Sequence, residues 1–275
     1  MENFITYQEK NTWIHRLSGE TKLIFFLAWS VVGMVTYDTR ILVGMCITSF
    51  LIFYFSKTDL KQLSMVLSVI GGFLVLNVLA IFLFSPYHGT KIYGSKTVLF
   101  HIIGPYSVTK EQLFYELNII LKYLTLIPAA LIFFVSTNPS EFAASLNKIG
   151  VSYNIGYAIS MALRYIPDVQ NDFQEIKTAQ EARGMDMSKD ERLRKRIKKI
   201  FAIIFPLIYS SMERIDVISN AMELRGFGKH RKRTWYASKK ATMLDYICVA
   251  VIVLFVGGIF YYTIQSGTRF YNPFK

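Results

Sequence analysis

The chain has 275 residues, 52% of them hydrophobic and 15% aromatic, with a mean hydropathy of +0.32 and a formal net charge of +12. That is too apolar for an ordinary soluble domain and fits an integral membrane protein. The positive charge therefore points to the anionic cytoplasmic face of a membrane before it points to nucleic acid.

The first 18 residues are polar and charged, with no apolar stretch of the kind a cleaved secretory signal carries. Five segments are then predicted to span a bilayer: 23–37, 41–55, 65–84, 113–135 and 243–264. The first two are separated only by Asp38-Thr39-Arg40 and read as a tight helical hairpin. Cys46 and Cys248 fall inside apolar runs and read as small buried or lipid-facing residues rather than a redox pair. His15, His88, His101 and His230 are too scattered for metal-ligand spacing.

Lys and Arg set the expected orientation. An internal N-terminus puts Lys10, Arg16 and Lys22 inside, then Lys57 and Lys61, then residues 137–241, which hold 19 of the 31 Lys and Arg residues. The external parts are then the 38–40 turn, the 85–112 loop and the 265–275 tail. The loop carries β-branched and aromatic clusters between glycines, at 91–94 and 97–100, and is predicted to form a small hairpin on the membrane surface.

Residues 137–240 are too long for a loop and too patterned for a linker. Asn138-Pro139-Ser140-Glu141 opens a short helix that ends near Gly150. A second helix is expected from Ile155 to Arg183, with Pro167 as a kink or break, then a basic linker over 189–199. A third helix is expected from about Ile197 to Arg225, with Pro206 inside it. The chain thus divides into a membrane region 1–136, a helical region 137–240, and a last span with its tail, 241–275.

The two long helices end alike, in Ala179-Gln180-Glu181-Ala182-Arg183-Gly184-Met185 and Ala221-Met222-Glu223-Leu224-Arg225-Gly226-Phe227. Glycine stops a helix, and an arginine at that end faces the negative pole of the helix dipole. Each tip reads as a simple cap or as a prong that reaches a partner. Two such tips on helices of like plan favour the prongs. An Arg fork can hold carboxylates or backbone carbonyls, and the helix behind it is stiff.

The rest of the chemistry is sparse. There is no Walker-type glycine loop, so ATP is not expected to bind this chain, and no catalytic constellation stands out. Gly71-Gly72 and Gly257-Gly258 read as close helix packing. Lys122, about ten residues in from the external end of the fourth span, is a candidate ion-pathway residue; snorkelling alone is strained there, and the reading without a specific role is the favoured one. The basic runs 189–199 and 229–233 read as anchors to anionic lipid, with Trp235 and Tyr236 at the headgroup level.

These motifs together resemble the transmembrane T component of energy-coupling factor (ECF) importers, the CbiQ/EcfT family. Residues 13–23 are similar to the family's His-x-Leu-x-Pro-x-x-Lys-Leu start, with Gly19 where proline is usual. Residues 137–141 resemble the opening of its coupling segment. The tips match its paired Ala-Arg-Gly motifs, fully at Ala182-Arg183-Gly184 and with leucine for alanine at Leu224-Arg225-Gly226.

The resemblance implies an all-α integral membrane protein, with about five transmembrane helices and long cytoplasmic coupling helices crossing in an X. It implies partners too: two ABC-type ATPases that take the tips, and a membrane-embedded S component that captures a vitamin or metal. It sets the chain in a bacterial plasma membrane with its N-terminus cytoplasmic and its C-terminus external. Arg183 and Arg225 would be the docking residues, Ala182, Gly184, Leu224 and Gly226 would allow close approach, and Glu181 and Glu223 would pair with the ATPases or orient the arginines. Met161, Leu163, Ile166, Val169 and Phe173, with Phe201, Ile204, Phe205, Ile208, Met212 and Ile215, would form the S-component surface. No cofactor, metal or nucleic acid is implied, and hydrolysis would lie on the ATPases.

The main alternative is a conventional ABC importer permease, since Glu141-Phe142-Ala143-Ala144 with Gly150 is similar to the Glu-Ala-Ala loop of those proteins. A membrane-bound enzyme would need clustered carboxylates, histidines or a nucleophile, which the sequence does not offer.

Overall fold

The computed structural model describes residues 12–58, 60–103, 106–185, 193–229, 234–236 and 238–274. The chain forms two compact units, Met1–Asn138 with Lys239–Lys275, and Pro139–Ser238.

The first unit holds α1 (Trp13–Arg16), α2 (Gly19–Val35), α3 (Thr39–Phe55), α4 (Leu60–Phe84), α5 (His88–Tyr93), β1 (Val98–Ile103), β2 (Tyr106–Thr109), α6 (Lys110–Ser136) and α10 (Met243–Gln265). α6 is the hub and packs against α2, α3, α4 and α5, while α10 packs on α2. The core centres on Trp29, Val32, Met45 and Ala129. Trp29 stacks between Phe25 and Phe255 at 5.1 and 5.2 Å, and its Nε1 donates to Ser49 Oγ at 2.7 Å. α4 and α10 bury almost none of their residues completely, as lipid-facing helices do, because hydrocarbon replaces water around them.

Leu63–Phe84, Lys110–Ser136 and Met243–Gln265 are long and apolar enough to cross a membrane. The two remaining expected spans are 17 residues each. At about 1.5 Å per residue they reach about 26 Å, just short of a hydrocarbon core. Asp38 caps α3 by accepting from the Arg40 N–H at 3.0 Å, which sets the tight α2–α3 turn.

The expected hairpin is present as the antiparallel pair β1–β2. The 91–94 cluster, read as extended, is instead the end of α5, stopped by Gly94 at φ +71°. Tertiary contact overrides β propensity here. Gly89 donates its N–H to Gln112 Oε1 at 2.9 Å, and a Cβ on Gly89 would stand 2.4 Å from the Glu111 carbonyl oxygen.

The second unit holds α7 (Pro139–Lys148), α8 (Tyr153–Ala182) and α9 (Leu193–Leu224). α8 runs unbroken through Pro167 and α9 through Pro206. α9 begins four residues before its expected start, inside the supposed linker, and residues 189–192 of that linker lie outside the described residues. α8 and α9 are antiparallel. The guanidinium of Arg214 pairs with Asp172 midway along them, Gln180 Nε2 donates to the Ala202 carbonyl at 3.4 Å, and Phe227 packs on Tyr157 at 4.7 Å.

Candidate functional site

The two tips are one backbone motif built twice. At the end of α8 the Gly184 N–H donates to the Glu181 carbonyl at 3.0 Å, and the Met185 N–H to the Gln180 carbonyl at 3.1 Å. At the end of α9 the Gly226 N–H donates to the Glu223 carbonyl at 2.8 Å, and the Phe227 N–H to the Met222 carbonyl at 3.0 Å. This pair of bonds is the Schellman closure, which needs a left-handed residue just past the last turn. Gly184 and Gly226 supply it at φ +83° and +66°.

The motif accounts for each position of Ala-x-Glu-x-Arg-Gly-apolar. Glycine turns the chain, and the residue after it packs back. Arginine stands at the junction, where the last carbonyls point outward. The glycines, expected to allow close approach, are required here by backbone sign. Among the described residues a Cβ on Gly184 would meet nothing within 4 Å, and one on Gly226 only Lys229 Cδ at 3.9 Å.

Arg183 and Arg225 are both exposed, as are Glu181, Ala182, Glu223 and Leu224, the last at 89%. Among the described residues neither guanidinium is held by a hydrogen bond or ion pair. Glu181 is paired within its own helix, with Lys177 one turn back at 3.7 Å.

The tips lie at opposite ends of the helix pair. Gln180, three residues before Arg183, reaches Ala202. From there to Arg225 is 23 residues, about 35 Å at 1.5 Å per residue. Their supports differ. Phe227 is braced by Tyr157 at 4.7 Å and Tyr153 at 6.1 Å, and Tyr153 also packs on Trp235, whose Nε1 donates to Asn147 Oδ1 at 3.1 Å. Trp235, expected at the headgroup level, is thus built into this brace, while Tyr236 is fully exposed. Met185 faces an open groove of about 780 Å³ with Lys198, Lys199, Phe201 and Phe205.

Of the candidate apolar surface, α9 presents the larger part. Phe201, Phe205, Ile208, Met212 and Ile215 are 49–66% exposed and fall within about 80° of one another around the helix. Ile204 is half-buried beside them. Ile197 (53% exposed) extends the stripe and Tyr209 (67%) flanks it; both were missed, although the same spacing would have found Ile197. On α8 only Ile166 and Val169 are exposed, and Met161, Leu163 and Phe173 are half-buried.

The helix recognised by Glu141-Phe142-Ala143-Ala144 is turned inward. Glu141, Ala143 and Ala144 are buried at 4%, 0% and 2%, so this segment offers no free loop of the permease type. Lys122 ties α6 to α2. Its Nζ donates to the Met34 carbonyl in the last turn of α2 at 2.8 Å and lies 3.2 Å from the centroid of the Tyr37 ring. Cys46 and Cys248 are free thiols.

A hub-and-spoke bundle of apolar helices joined to a long helix pair defines an α-helical integral membrane protein. The family model described as "Cobalt transport protein" (CbiQ) matches residues 10–236. The chain belongs to this family, that of the transmembrane T components of ECF transporters. It is 27% identical over 266 residues to the energy-coupling factor transporter transmembrane protein EcfT of Leuconostoc gelidum subsp. gasicomitatum, covering 93% of this chain and 94% of that one. It is 26% identical to the protein of the same name from Streptococcus equi subsp. equi, covering 96% of each. A candidate ABC transporter ATP-binding protein of Bifidobacterium longum is 24% identical over 90% of this chain, which matches 31% of that longer protein.

Proposed function

We propose that this chain couples two ABC-type ATPases to a membrane-embedded S component that captures a vitamin or metal ion. Arg183 and Arg225 insert into one groove on each ATPase, flanked by Ala182, Gly184, Leu224 and Gly226. Hydrolysis takes place on those subunits, and the stiff helices α8 and α9 carry the resulting displacement.

The observation that carries the reading is the twin tip: one closure, one exposed arginine and about 35 Å between them. A single cap needs no copy, whereas two equivalent motors need two equivalent plugs. The Bifidobacterium relative supports the ATPase partnership, since a stretch like this chain forms part of a protein named for ATP binding. The exposed stripe Phe201–Phe205–Ile208–Met212–Ile215, with Ile166 and Val169, is the surface for the S component. The basic content of residues 137–241 supports a cytoplasmic side for this segment and for the N-terminus in a bacterial plasma membrane, with β1–β2 and the C-terminal tail outside.

The test is capture of the ATPases. Arg183→Ala with Arg225→Ala leaves the protein in the membrane and reduces co-purification of the ATPase pair at least tenfold, with each single variant intermediate. Undiminished capture by the double variant rejects the docking role. Binding or passage of substrate by this chain with no capture subunit favours a permease instead.

A further inference from the structure

The helical unit Pro139–Ser238 is joined to the membrane unit at two places, just after Ser136 and just before Thr242. Both joints are tied to the same short stretch, residues 15–22. At the first joint, Lys22 Nζ donates to the carbonyl of Ser136, the last residue of α6, at 2.7 Å. At the second, Asp245 accepts four hydrogen bonds. Its Oδ1 takes the Ser18 N–H and the Thr21 hydroxyl, each at 2.8 Å, and its Oδ2 takes the Thr242 N–H at 2.7 Å and the Thr242 hydroxyl at 2.8 Å. Ser18 and Thr21 hydroxyls lie 3.0 Å apart, and Lys239 Nζ donates to the His15 carbonyl at 3.0 Å.

The seam is buried and charged. Asp245 is 2% exposed, Lys22 4%, Thr21 3% and Ser136 1%. Each charge faces helix ends of the opposite polarity. Asp245 sits at the N-termini of both α2 and α10, and Lys22 at the C-terminus of α6. Apolar packing alone would hold these helices together while letting them slide. Directional bonds between buried charges and helix ends fix one register and become costly when any partner moves.

We propose that Ser18, Thr21, Lys22 and Asp245 are positioning residues of a clamp that locks the start of α2 to the end of α6 and the start of α10. A displacement that reaches the membrane unit along the chain at either α6 or α10 is then delivered to α2, α6 and α10 together. The delivery step rests on the coupling function proposed above.

The test uses the purified full chain with Cys46→Ala and Cys248→Ala, and spin labels at Tyr246→Cys on α10 and Tyr54→Cys on α3. Both labelled positions are exposed. The parent gives a narrow distribution of label distances without any nucleotide or partner. Thr21→Val and Asp245→Asn broaden it at least twofold, and Thr21→Ser, which keeps the hydroxyl, retains the parent's width. Unchanged width in Thr21→Val and Asp245→Asn, or equal broadening in Thr21→Ser and Thr21→Val, overturns the clamp.

Should a variant fail to accumulate, hydrogen exchange on the parent decides. The Ser18 and Thr242 amides are then as protected as helix interiors, and rapid exchange there overturns the clamp. In the complex with its ATPases, MgATP shifts the parent's mean label distance and Thr21→Val loses at least half of that shift; a full shift in Thr21→Val overturns the delivery step. The two readings fail separately. ATPase capture that survives loss of both tip arginines rejects docking and leaves the width measurement standing, while unchanged width rejects the clamp and leaves docking standing.

Discussion

Replacing Gly184 with alanine isolates the backbone contribution of a tip from its arginine. The residue sits at φ +83°, and among the described residues a Cβ there meets nothing within 4 Å, so the substitution clashes with none of them. What remains is the left-handed penalty, about 1–2 kcal/mol for an L-residue, offset by about 0.4–1 kcal/mol from the stiffer unfolded chain. The net cost is about 1 kcal/mol, or roughly fivefold in the population of the closed tip. Gly226→Ala carries the same cost. The tips do not touch, so the double variant loses about 2 kcal/mol, roughly 30-fold. Hydrogen exchange at the 184 and 185 amides reads the closure directly, and ATPase co-purification reads its use. Asparagine, which visits the left-handed region readily, restores most of both. Asparagine as harmful as alanine would refute the reasoning, because the glycine would then be needed for want of a side chain and not for the sign of φ.

Other outcomes follow from the same geometry. Gly89→Ala drives a Cβ to 2.4 Å from the Glu111 carbonyl and 2.7 Å from the Gln112 Cα, so it displaces α5 and costs about 2–3 kcal/mol, measured as a lowered Tm in detergent. Phe227→Ala removes the aromatic brace of the second tip and reduces ATPase capture more than Met185→Ala, whose side chain borders an open groove; equal losses would count against unequal support. Trp29→Phe leaves the buried Ser49 hydroxyl without its indole donor and destabilises the bundle by about 1–2 kcal/mol in thermal unfolding. Lys122→Met strips a cation from the last turn of α2 and lowers thermal stability while leaving ATPase capture unchanged; lost capture would give Lys122 a role beyond the bundle.

What could be read in advance was what is local. Ala-x-Glu-x-Arg-Gly-apolar contains its own closure within seven residues, so both helix ends were visible without tertiary knowledge. The start of α7 and the presence of the apolar helices were equally plain, because proline and hydrophobic runs act on their neighbours, but α2 and α4 begin four and five residues before the expected spans, in polar turns that hydropathy does not mark. The failures involve distance along the chain. The helical turn at 88–93 depends on Gly89 meeting α6 some 22 residues later. Asp245 carries no local signal, because its partners include Ser18 and Thr21, more than 220 positions away. Lys122 was legible only as a cation inside an apolar span, because its partner, the Met34 carbonyl, lies 88 positions away. Periodicity found the stripe on α9 and overstated its counterpart on α8, where Met161, Leu163 and Phe173 turn partly toward neighbours.

The final residues knot one end of the bundle. Tyr37 donates its N–H to the Arg269 carbonyl at 3.0 Å and stacks on Phe270 at 4.7 Å, Asn272 Nδ2 donates to the Tyr93 carbonyl at 3.0 Å, and Phe274 wedges against Tyr93 and Phe114 at 5.8 and 5.7 Å. A ribosome makes these residues after everything they fasten. During synthesis α2, α5 and α6 must therefore wait, inserted yet unlatched, until the tail arrives to close that end.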